Sequence, residues 1–167
     1  MILVYAFANR WSTNVSSRVL MELIDIYQTH PGFTFQKIYG PPHRFFQKYI
    51  VGSSYSLIIG LGDYYGPLSQ IKVETKAKNQ YGTNTILPLS PITLPLSLPS
   101  SLALPSGFCY GYSMGTYNCN WMAYSIEAYF NRSYPVGRQL FFHLPPKSTA
   151  THLAANLADF FELNRLL

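Results

Sequence analysis

Tyr55-Ser-Leu-Ile-Ile-Gly-Leu61 is apolar on both of the faces that a strand would present. A run of this length and pattern reads as a strand covered on both sides, in the middle of an α/β sheet. The loop that follows, Gly62-Asp-Tyr-Tyr-Gly66, then falls at the strand's carboxyl end, the edge where such sheets place ligands. Upstream, Ile2 to Phe7 is a second apolar run, ending in the polar loop Asn9-Arg-Trp-Ser-Thr13. Val19, Leu20, Leu23, Ile24 and Tyr27 then recur at helical spacing up to His30-Pro31-Gly32, with Asn14 or Ser16 as the expected cap. Phe33 to Tyr39 reads as a strand and Pro41-Pro42 as the opening of a short helix.

Downstream, Ile71 to Asn79 alternates loosely as a strand does. Ile86 to Pro105 carries Pro88, Pro91, Pro95, Pro99 and Pro105, which exclude a regular helix or a central strand and predict a long wrapping loop. A strand over Gly107 to Tyr112, a helix over Gly115 to Phe130, a strand over Gln139 to His143 and a helix over Ser148 to Leu167, capped by Ser148 or Thr149, complete the pattern. The expectation is a single domain over 1–167, a three-layer α/β/α sandwich with a mostly parallel, mixed central sheet.

Composition narrows the function. Hydrophobic residues make up 48% and charged residues only 11%, which suits a folded core rather than a disordered chain. The net charge of +5 is scattered rather than striped, so nucleic acid is not an expected partner. No apolar run has the length of a membrane span, and Met1-Ile-Leu-Val-Tyr5 resembles no leader, so no membrane partner and a cytoplasmic location are expected. The only cysteines, Cys109 and Cys119, form no disulfide framework. No motif implies a metal or other cofactor.

Cys119 falls in the first turns of the helix after Gly115-Thr116, where unpaired amides and the helix dipole favour a thiolate and would lower the thiol pKa. The same position, on a face with Met122, Ala123, Ile126 and Phe130, equally suits a core cysteine. His143 closes its strand at the ligand-binding edge, where an imidazole can serve as a base or simply end a strand. Glu74 is the only acid in Ile71-Lys-Val-Glu-Thr-Lys-Ala-Lys-Asn79 and alone reads as an exposed, salt-bridged residue.

Ser113-Met-Gly-Thr-Tyr-Asn-Cys-Asn120 resembles the nucleophile motif of the pyroglutamyl peptidase I family, Ala-Gly-Thr-Tyr-x-Cys-Asn. Phe141-Phe-His-Leu-Pro145 resembles the family's Phe-Ile-His-Val-Pro, and Glu74-Thr-Lys-Ala-Lys-Asn79 its glutamate motif, all in family order. Ile2 to Phe7 is similar to the first strand, Asn14 and Ser16 to an Asn-Pro-Ser element, and Gly60-Leu61 to the start of the next loop. The resemblance implies a cysteine peptidase that removes amino-terminal pyroglutamate. Cys119 would be the nucleophile, His143 the base and Glu74 its orienting acid, with Phe7, Leu61 and Trp11 against a peptide or small amide substrate.

The chain also departs from that pattern. Ala8-Asn-Arg10 replaces the Gly-Pro-Phe substrate loop, Asp63-Tyr-Tyr65 replaces a segment carrying Arg, Met114 stands for Ala, and the Pro-rich connection is shorter. A hydrolase for another small amide and a catalytically silent binding protein therefore stay open as alternatives, as does the oligomeric state, a homo-oligomer included. His30, His43, His152 and Cys109 match no motif and are expected to be structural or surface residues.

Overall fold

The structure is a computed structural model that describes residues 1–9, 11, 13–67 and 69–166. Its elements are β1 (Ile2–Phe7), α1 (Val15–Tyr27), β2 (Phe33–Ile38), α2 (Pro42–Tyr49), β3 (Leu57–Asp63), β4 (Ile71–Glu74), β5 (Lys76–Lys78), β6 (Thr93–Pro95), β7 (Phe108–Gly111), α3 (Asn118–Ser133), β8 (Arg138–Leu144) and α4 (Ala150–Leu163). Among the described residues a 6-stranded sheet runs in the order β2-β1-β3-β8-β4-β7. All neighbouring pairs are parallel except β4 against β8.

Burial follows the strand pleat. Val4, Ala6, Ile59, Leu61, Phe142 and Leu144 face a core closed by α1 and α4. Leu3, Tyr5, Ile58 and Phe141 face another closed by α2 and α3. The fold is thus the expected three-layer sandwich with a mixed, mostly parallel sheet. No helix among the described residues is long and apolar enough to cross a membrane.

Several local expectations change. The stretch 71–79 breaks at Thr75, where the chain leaves the sheet and β5 pairs with β6 as a separate ribbon. The β6 half of that ribbon lies inside the Pro-rich loop, which is fastened by side chains. Asn79 donates to the carbonyls of Leu87 and Ser90 and accepts from the Leu87 amide. The Tyr124 hydroxyl donates to the Pro91 carbonyl at 2.6 Å. Buried Glu127 accepts from the Ser97 amide and hydroxyl and from Gln139. The third helix starts at Asn118, because Gly115 turns with φ +73° before it. Thr149 caps α4 by accepting the His152 amide, and the end of the expected helix, Leu167, lies outside the described residues.

Neither Asn14 nor Ser16 caps α1 through its side chain. The Asp63 carboxylate does so from the end of β3, accepting the Val15 amide at 3.2 Å and the Ser16 amide at 2.8 Å. The Asn14 side chain instead accepts the Asn9 amide and shapes the preceding loop. Asp63→Ala should therefore destabilise the fold by about 1 kcal/mol, the usual cost of a lost helix cap, as read by denaturant unfolding.

Candidate active site

The site grows from strand register. Gly62 pairs with His143 across the parallel β3–β8 seam, and Lys72 pairs with His143 across the antiparallel β8–β4 seam. Paired residues share a face, so His143, Lys72 and Glu74, two residues after Lys72, point to the α3 side of the sheet. There the His143 Nδ1 lies 2.7 Å from Glu74 Oε1. With Nδ1–H donating to the carboxylate, Nε2 is left to exchange a proton. Glu74 is fully buried rather than an exposed salt-bridging residue, and His143 is 5% exposed.

Missing side chains make room for both ends of this arrangement. Gly111 is the register partner of Glu74, and a Cβ there would stand 2.5 Å from the carboxylate. A Cβ on Gly62 would stand 2.8 Å from Cys119 Sγ. The sulfur therefore rests over the strand position that pairs with His143.

Cys119 is the second residue of α3, partly exposed, where the first-turn amides lack helical partners. Asn120 beside it is fully buried and ties α3 to the segment after Glu74. It accepts the Lys78 amide at 2.7 Å and donates to the carbonyls of Lys78 and Gln80. Tyr64 packs near the imidazole at 6.2 Å between ring centroids, and the Lys72 ammonium sits 3.5 Å over the Tyr64 ring.

The expectation of a lowered thiol pKa is reversed. Burial first, then the Asp63 carboxylate, push the Cys119 thiol up to about 12; a backbone hydrogen bond opposes them and the Glu74 charge adds to the rise. A helix start stabilises an anion only as far as its other surroundings permit.

The expected substrate contacts separate. Phe7 lines a cavity of about 420 Å³ with Asn9, Asn14, Ile38, Pro41, Tyr81 and Asn118, next to Cys119. Leu61 is fully buried and packs into the core on the opposite face, so its side chain does not reach this cavity. Strand alternation turns it away from Gly60 and Gly62. Trp11 is 70% exposed on the loop after β1, its amide donating to Asn9. Arg10 lies outside the described residues. Asp63, Gly111 and Asn120 carry no assigned role in the sequence reading; the signals that could have marked them are an acid at a central strand end, a strand glycine and a polar residue on an apolar helix face. Among the described residues no group of His, Cys, Asp and Glu could hold a metal ion.

Pyroglutamyl peptidases are among the solved structures that share this fold. Pyroglutamyl peptidase I from Bacillus amyloliquefaciens superposes with a TM-score of 0.79 at 17% identity, over 98% of this chain and 93% of that one. This chain has the pyroglutamyl peptidase fold. Pyrrolidone carboxyl peptidases from Fervidobacterium islandicum, with TM-score 0.77, 17% identity and coverage of 98% and 97%, and from Thermococcus litoralis, with 0.74, 16%, 98% and 92%, agree. No family model matches the chain, and no curated protein matches it in sequence.

The thiol's electrostatics yield a direct test. Iodoacetamide alkylation of Cys119, followed by mass mapping against Cys109, should be slower at pH 8 than for an ordinary thiol and keep rising past pH 10. Asp63→Asn, which removes one of the charges that raise the pKa, should move that profile to lower pH.

Proposed function

We propose that this chain is a cytoplasmic cysteine peptidase that removes an amino-terminal pyroglutamyl group from peptides through a thioester at Cys119. The observation that carries the reading is the buried Glu74–His143 hydrogen bond, held in register with the glycine over which the Cys119 sulfur lies.

The steps follow from the chain's own groups. His143 Nε2 takes the thiol proton as sulfur bonds to the acyl carbon, and Glu74 stabilises the imidazolium that forms. First-turn amides of α3 are suited to the developing oxyanion. Collapse breaks the carbon–nitrogen bond, the amine leaves with the proton from Nε2, and water, deprotonated by the same nitrogen, releases the acid and restores the thiol. Burial and nearby carboxylates that push the Cys119 thiol pKa up increase the need for a base in this step.

A second reading keeps the chemistry and changes the acyl group. It is favoured by the cavity wall at Ala8 and Asn9, the start of the Ala8-Asn-Arg10 segment that stands where the resembled family has Gly-Pro-Phe. A panel of aminocoumarin amides separates the two: turnover confined to the pyroglutamyl member supports the first.

Cys119→Ala should lower pyroglutamyl-amide hydrolysis by several powers of ten. Glu74→Gln should lower kcat on the order of a hundredfold with little change in melting temperature. Gly111→Ala, by displacing the carboxylate, should reproduce much of that loss. Activity within about twofold for Glu74→Gln would remove the triad from the mechanism.

A further inference from the structure

Charge is divided between the two faces of the molecule. Of the 7 acidic residues, Glu74 and Glu127 are buried and Asp63 caps α1. Glu22, Asp25, Asp159 and Glu162 lie on α1 and α4, the layer on the far side of the sheet from Cys119. No acid occurs in residues 26–62. The face built by α2, α3 and β5 exposes Arg44, Lys48, Lys76, Lys78 and Arg132, and no exposed acid among the described residues offsets them.

On this face Arg44 and Lys48 line a cavity of about 240 Å³ with Tyr39 and Tyr49; Lys37 also borders it, but as the register partner of Ala6 it points its side chain to the α1 and α4 side of the sheet. None of these cations forms an ion pair among the described residues. Arg44 and Lys48 stand one helical turn apart, a like-charge spacing that costs a helix a few tenths of a kcal/mol. Ile38 and Pro41 at the β2–α2 turn line both this cavity and the larger one bordered by Phe7 and Asn118.

We propose that the substrates of this site are acidic peptides, whose carboxylates lie on Arg44 and Lys48 while the scissile amide lies at Cys119. The proposal rests on the hydrolase reading and adds a substrate class to it. A cationic wall raises the local concentration of an anionic substrate and its rate of encounter. Two cations beside a small cavity match one or two carboxylates, whereas a nucleic acid backbone would require a longer basic row.

The test uses fluorescein-labelled peptides binding to the full-length Cys119→Ala protein, with turnover of their unlabelled forms by the unsubstituted protein. The peptides are pyroglutamyl-Ala-Glu-Glu-Ala, pyroglutamyl-Ala-Lys-Lys-Ala, and a succinyl-Ala-Ala peptide that carries its carboxylate on the acyl side. At low salt the better of the acidic peptides should bind on the order of tenfold more tightly than the Lys peptide, and which one wins identifies the side that meets the cations. The difference should shrink at about 0.5 M salt. Arg44→Glu with Lys48→Glu should reverse the ranking; if that variant melts early, Arg44→Gln with Lys48→Gln should abolish it. Equal binding of all peptides, a ranking unchanged in a folded variant, or tighter binding of a short oligothymidylate overturns the proposal. Charge ranking without turnover of any peptide sinks the hydrolase reading and leaves the anion preference; turnover without charge ranking does the opposite.

Discussion

A carboxylate with no exposed surface is the constraint around which this structure is arranged. Burying Glu74 costs several kcal/mol unless the charge is met, and among the described residues a single imidazole meets it, with Oε2 left without a hydrogen-bond partner. That bond crosses the one antiparallel seam of the sheet. A slip of β4 by one residue would turn Glu74 into the apolar core on the other face, so the register of β4 against β8 is specified by charge as well as by hydrophobic pattern. The glycine on β7 and the turn at Thr75 serve the same placement.

The thiol illustrates competition among effects of comparable size. A helix start offers roughly half a positive charge, worth at most about 2 kcal/mol to a partly buried anion. Burial and nearby carboxylates outweigh it at Cys119. Charge separation that develops during the attack on substrate is compensated by the buried Glu74, which is already in position.

Much of the fold was legible because its central strands declare themselves: Ile2–Phe7 has the predicted bounds, and Leu57–Asp63 is shifted by two residues from them. Motif order located Glu74 and His143 well before any geometry showed them to touch. What escaped the sequence depends on distant partners. Asp63 caps a helix 48 residues away, which no local capping rule detects. Leu61 looks contiguous with Gly60 in a motif, but alternation along the strand places it on the opposite face. The thiol pKa depends on a burial that no spacing reveals.

The order of the strands in space also has a consequence for synthesis. β8, the last strand to emerge, lies between β3 and β4 and joins them. Until Arg138–Leu144 has left the ribosome, the β2-β1-β3 and β4-β7 groups each expose an open edge at the position β8 will fill. A nascent chain folds from its amino end at about 5–20 residues per second, so these edges are exposed for seconds and depend on chaperones or on their own brevity to avoid pairing with other chains. Insertion of the final strand closes the sheet and brings His143 to Glu74 in one event, so the protein acquires its complete site only when it ceases to be aggregation-prone.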